Sequence, residues 1–170
     1  MGATIIASDI LNVLFVGEGN TARSIMAEAL LTRLGGGAFQ VFSAGRAPGG
    51  QISAHTLETL KQAGYDTSAL YPKSWKTFVS PSAPTMDVVV TLDDALKNGP
   101  FPIWYTKPVY AHWPFVNPQT SAHNDQERQG AHRRLFGDME QQMLKLAALN
   151  LKGLGPAALQ ARFASIAPKA

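Results

Sequence analysis

The stretch Val13-Leu14-Phe15-Val16-Gly17-Glu18-Gly19-Asn20-Thr21-Ala22-Arg23-Ser24 decides how the rest of this chain is read. A continuous apolar run closed by glycine is the pattern of a strand buried on both faces, as in a parallel sheet. Residues 11–16 are therefore expected to form a first strand that runs into a loop. Beyond the loop, Ile25, Met26, Ala29, Leu30 and Leu34 recur with helical period, and Gly35-Gly36-Gly37 ends them where a left-handed cap suits glycine. A glycine turn between a strand and the start of a helix converges several backbone N–H groups on one point. The helix dipole adds partial positive charge there, so the junction suits an anion. Arg23 would add a planar fork for two oxyanion oxygens.

The alternation continues outward. Residues 39–43 read as a second strand. Residues 54–63 read as a helix capped by Ser53 and closed by Gly64. The β-branched run at 86–92 is a good central strand, with Pro81 and Pro84 marking the loop ahead of it. Residues 108–111 are a candidate fourth strand, and 114–124 have loop composition. Leu135, Met139, Met143, Leu146 and Leu149 keep helical spacing through 125–149, and a shorter helix follows over 156–166. Strands interleaved with helices imply an α/β three-layer sandwich around a central four-stranded parallel sheet. In such sheets ligands gather at the carboxyl ends of strands, which is where residues 17–22 fall. One domain spanning 10–166 is expected, with 1–9 and 167–170 as frayed ends.

Composition narrows the chemistry further. The 170-residue chain has no cysteine, which excludes disulfides, thiolate metal sites and thiol redox catalysis together. Its four histidines lack the close pairing on one helix that a zinc site shows, so no metal and no other cofactor is expected. A net charge of +3 with scattered basic residues argues against a nucleic-acid partner. No apolar run approaches the roughly 20 residues of a membrane helix, and residues 1–10 lack the features of a secretory signal. The expected location is cytoplasmic, without membrane association. Oligomeric state is not readable. Trp75, Trp104 and Trp113 share no spacing and are expected in core or rim packing, while Arg46 and Lys73 are expected to be solvated.

The opening string resembles the signature of the low-molecular-weight protein tyrosine phosphatases, especially their thioredoxin-coupled arsenate reductase branch. There a cysteine, five residues, arginine and serine follow the first strand. Gly19, Asn20, Ala22, Arg23 and Ser24 match. The segments Ser24-Ile25-Met26-Ala27-Glu28-Ala29, Val41-Phe42-Ser43-Ala44-Gly45, Lys73-Ser74-Trp75, Asp87-Val88-Val89-Val90-Thr91 and His112-Trp113-Pro114-Phe115-Val116-Asn117-Pro118 also resemble family segments in order. The resemblance implies an oxyanion loop made of Gly17, Glu18, Gly19, Asn20, Thr21, Ala22, Arg23 and Ser24. The ligand it implies is phosphate, sulfate, arsenate or a phosphorylated partner protein.

The same resemblance shows what is missing. Gly17 stands where the attacking cysteine belongs, and glycine has no side chain to attack with. The aspartic acid that protonates the leaving group corresponds to Asn117, before Pro118, and a carboxamide cannot supply that proton. The two redox cysteines of the reductase branch correspond to Leu92 and Gly99. A catalytically silent, oxyanion-binding protein is the expectation. Two alternatives stay open: a hydrolase using Glu18, Asp93 or Asp94 at strand ends, perhaps with a metal, and an interaction module without anion binding. The direction of Glu18 decides whether the loop binds an anion, because a carboxylate turned inward would repel a dianion by about 2 to 3 kcal/mol per charge pair at about 6 Å, and an outward, solvent-facing carboxylate is the expectation.

Overall fold

A computed structural model describes residues 10–169. The end segment 1–9 and Ala170, both expected to fray, lie outside the described residues. Strand β1 (Leu11–Gly17) leads to helix α1 (Arg23–Leu34), then β2 (Phe39–Gly45), α2 (Ala54–Gln62), β3 (Val88–Thr91), β4 (Val109–His112), α3 (Asp125–Ala147) and α4 (Pro156–Ser165). Short 3-10 helices at Trp75–Phe78 and Asp94–Leu96 interrupt the loops on either side of β3. All pairings are parallel, in the order β2-β1-β3-β4. The four-stranded parallel α/β architecture read from the sequence is the one observed.

Residue preferences account for the element ends. Ser53 accepts the N–H of Thr56 at the start of α2, and Asn124 accepts that of Glu127 at the start of α3, the side-chain capping that leaves fewer helix donors unpaired. After α1 the left-handed residues are Gly36 and Gly37, while Gly35 itself stays right-handed, so the turn falls one residue later than the glycine run alone suggests. The strand expected over 86–92 is ladder-paired only over its central four residues. Ala167 donates to the carbonyl of Ala164 and packs on the core, so the ordered chain extends past residue 166.

Alternation along β1 divides the core. Val13 and Phe15 face one side with Val88, Val90 and Leu92, under α1, α3 and α4. Leu14 and Val16 face the other with Ala44, Val89, Trp75, Phe78 and Trp104. That second face is covered by the two 3-10 helices and aromatic loops, so the third layer is thin. All four β1 side chains from Val13 to Val16 are fully buried, and truncating Phe15 to alanine would cost about 3–5 kcal/mol. The three tryptophans belong to these cores; Trp113 donates its indole N–H to the carbonyl of Phe163 at 3.0 Å. Among the described residues no helix is long and apolar enough to cross a membrane.

Chain order reverses between β1 and β3, since β1 connects outward to β2 and the chain returns to β3 on the other side. The crevice at such a reversal is where open parallel sheets place ligands. Residues 18–22 follow β1 and Asp93 follows β3, so both lie at that crevice.

Candidate functional site

The loop after β1 is organised by two sets of hydrogen bonds. On one side its carbonyls are taken by the segment at 46–53. Arg46 donates its backbone N–H to Gly17, Ala47 to Glu18, Gly49 to Gly19 and Ser53 to Thr21, at 2.9–3.2 Å. On the other side, among the described residues, no acceptor takes the amide hydrogens of Glu18, Gly19, Asn20, Thr21 or Ala22. A trans peptide points its N–H opposite to its C=O, so carbonyls bound outward turn the following amides toward the crevice. The start of α1 adds to them, because Ala22 caps it without a side-chain bond and its first turn carries no acidic residue.

Asn20 holds this shape. It is buried in the left-handed region at φ 54, a conformation asparagine tolerates better than most residues. Its Nδ2 donates to Ser24 Oγ at 2.8 Å and to Ser43 Oγ at 3.0 Å, and its Oδ1 accepts the backbone N–H of Lys73 at 2.9 Å. Behind it, Ser43 donates to Glu28, whose carboxylate lies 3.5 Å from Lys73 Nζ. Lys73 is therefore part of a half-buried network rather than the solvated residue expected, and burial lowers its ammonium pKa against the raising effect of Glu28.

The cleft lined by residues 17–24 has a volume of about 340 Å³, and Asp93, Asn117 and Gln119 complete its wall. All eight residues expected from the loop are brought together there. Gly17 forms its floor. A Cβ built on it would sit 3.4 Å from Ser24 Oγ, ordinary contact, so the missing side chain leaves usable space. Asn117 Oδ1 accepts the N–H of Gln119 at 2.9 Å, which fixes the carboxamide in the cleft wall. A larger groove of about 610 Å³ is lined by residues of the 114–121 loop and of α3 and shares no lining residue with this cleft.

One loop side chain differs from expectation. The guanidinium of Arg23 is not an open fork: Nη2 donates to Asp93 Oδ2 at 2.8 Å, and Nη1 donates to the carbonyls of Phe115 at 3.0 Å and Leu92 at 3.3 Å. The meeting of β1 and β3 at the crevice puts Asp93 beside it, a proximity that local sequence does not encode. Leu92 does not face the cleft either, because the alternation of β3 sends it into the core beneath α3, and Gly99 lies away from the lining. Glu18 does not turn its charge onto the amides; its carboxylate is held by Arg46 on the neighbouring segment, with Arg46 Nε 3.1 Å from Oε2. That pairing raises the Arg46 pKa.

The remaining acids are also engaged. Asp93 Oδ1 accepts the N–H of Ala95 and so caps the second 3-10 helix, while Asp94 pairs with His112 at 2.8 Å. Glu18, Asp93 and Asp94 therefore each bind a different basic group, and among the described residues no three His, Cys, Asp or Glu side chains converge as a metal site would require. Gln119 is the wall residue that sequence reasoning missed, and Asp93 was read there only as a strand-end carboxylate for hydrolysis. The available signal for Asp93 was its place two residues beyond the end of β3.

Residues 12–100, just over half of the chain, match the family model described as low molecular weight phosphotyrosine protein phosphatase. The chain belongs to that family. Solved structures carry the likeness further along the phosphatase fold. An arsenate reductase in the phosphate binding state is 25% identical with a TM-score of 0.65, covering 81% of this chain and 97% of that one. The arsenate reductase of Archaeoglobus fulgidus is 25% identical, with a TM-score of 0.62 and coverage of 81% and 99%. The YwlE arginine phosphatase, at 21% identity, has a TM-score of 0.63 over 81% and 93% and shares the fold. Within this phosphatase family the absence of any cysteine fits a loss of catalysis.

Proposed function

We propose that this protein is a catalytically silent phosphatase-family member whose glycine loop binds a small oxyanion, either free or carried on a phosphorylated partner protein, in a binding or regulatory role in the cytoplasm. The observation that carries this reading is the row of five consecutive amides, 18–22, without acceptors among the described residues, while the carbonyls of Gly17, Glu18, Gly19 and Thr21 are bound by the segment at 46–53. Buried or half-buried amides without partners are costly, each by about 1–3 kcal/mol, and an anion in the cleft would satisfy several at once. The likeness to an arsenate reductase in a phosphate binding state supports the same choice of ligand. Gly17 and Asn117 supply neither nucleophile nor acid, so bound ligand would leave as it arrived.

A second reading, an interaction module that has lost anion binding, is favoured by one observation, the engagement of Arg23 by Asp93. Calorimetric titration with phosphate and arsenate separates the two. Saturable heat that disappears in Gly19→Pro, which removes one of the five donors and restricts the loop, supports the oxyanion reading. No heat with the intact protein at millimolar anion supports the module. Turnover of an aryl phosphate by the purified chain would overturn catalytic silence.

A further inference from the structure

The carboxylate in the cleft wall bears on which oxyanion enters. We infer that Asp93 makes the cleft selective for oxyanions that still carry a proton, phosphate and arsenate, against sulfate, which carries none. This rests on the oxyanion reading above and deepens it by assigning the ligand's chemical class.

Three features of the site carry the argument. Asp93 lines the same cleft as the amides of residues 18–22. Its two oxygens each accept one bond from the protein, Oδ2 from Arg23 and Oδ1 from the N–H of Ala95, and a carboxylate oxygen has a second lone pair to offer. The Arg23–Asp93 pair also offsets the cation that would otherwise accept any dianion indiscriminately, since three of the five guanidinium N–H groups go to Asp93 and two carbonyls. Glu18 is held by Arg46. The cleft therefore presents donors from the loop and one charged acceptor from the end of β3.

Near neutral pH, phosphate and arsenate each keep at least one O–H, so three oxygens can accept from amides while the fourth donates to Asp93. Sulfate can only accept. Placed in the same cleft it would set an oxygen lone pair against a carboxylate, with both the repulsion and an unmade bond to overcome. Recognition by a hydrogen bond that only one ligand can donate discriminates far more sharply than size does. Sulfate and phosphate differ little in size.

The experiment is calorimetric titration of the intact protein with sodium phosphate, arsenate and sulfate at constant ionic strength and neutral pH, repeated on Asp93→Asn and Asp93→Ser. Both replacements keep a side-chain acceptor for the Ala95 N–H. The expected result is sulfate affinity at least about tenfold below phosphate and arsenate in the unaltered protein, narrowing to within about twofold in the variants. Competition of sulfate against bound phosphate in the unaltered protein gives the same comparison if a variant fails to fold. Equal sulfate and phosphate affinities, or a preference unchanged by both variants, would overturn the inference while leaving oxyanion binding intact. Absence of binding by all three anions to every form would remove the oxyanion reading, and the selectivity with it.

Discussion

Asn20 Oδ1 accepts the backbone N–H of Lys73 at 2.9 Å, across 53 positions of the chain. With its Nδ2 bound to Ser24 and Ser43, this one side chain ties the glycine loop to α1, to β2 and to the segment ahead of the first 3-10 helix. The cleft thus depends on a residue that does not present its side chain to a ligand.

Asn20→Ala should therefore destabilise the protein by about 2–4 kcal/mol, through three lost bonds and a left-handed backbone that alanine disfavours. Urea unfolding measures the loss. A change below about 1 kcal/mol would mean that the loop is held by its carbonyl bonds to residues 46–53 alone.

Gly45 tests the loop's other side. A Cβ there would stand 2.9 Å from the carbonyl oxygen of Glu18 and 3.0–3.1 Å from backbone atoms of Gly19 and Asn20, none of which can swing aside. Gly45→Ala is expected to cost about 1–3 kcal/mol. Gly50→Ala meets nothing within 4 Å and should be neutral or mildly stabilising. Paired thermal melts of the two variants provide the comparison.

Gly17→Cys should fold with little change in stability, because its Cβ makes only ordinary contact with Ser24. The unpaired amides around it should favour the thiolate. With Asn117 in place of an acid, hydrolysis should be detectable with p-nitrophenyl phosphate, whose phenolate leaves without a proton, and much slower with phenyl phosphate. Adding Asn117→Asp should raise the phenyl phosphate rate by about 10²–10⁴-fold. Steady-state assays on both substrates decide it, and an inert double variant would show that more than these two groups has been lost.

His132 makes stability depend on pH. It is fully buried between α2 and α3, stacked on His55 with ring centroids 5.2 Å apart, its Nδ1 bound to the Arg128 carbonyl. Its Nε2 has no partner among the described residues. Burial lowers its pKa, and the neighbouring His55 acts in the same direction. Between the lowered folded value and the unfolded value near 6.5, the unfolded chain binds more protons, so stability is full above about pH 6.5 and falls on acidification. The slope from this group is at most about 1.4 kcal/mol per pH unit. Urea midpoints from pH 7.5 to 5 should show the decline, and His132→Gln should flatten it.

The alternation of strand and helix, the helix start set by Ser53, and the missing thiol and acid were all legible in the sequence, because each depends on residues close together in the chain or on composition. The partners of charged groups were not. Arg23 meets Asp93 across 70 positions and Glu18 meets Arg46 across 28, encounters set by the strand order β2-β1-β3-β4 and by the segment laid along the loop. Leu92 and Asp93 are adjacent, yet one enters the core and the other the cleft. Sequence periodicity determines which residues form a strand; only the assembled sheet determines which strand ends share a crevice, and so which charges neutralise one another there.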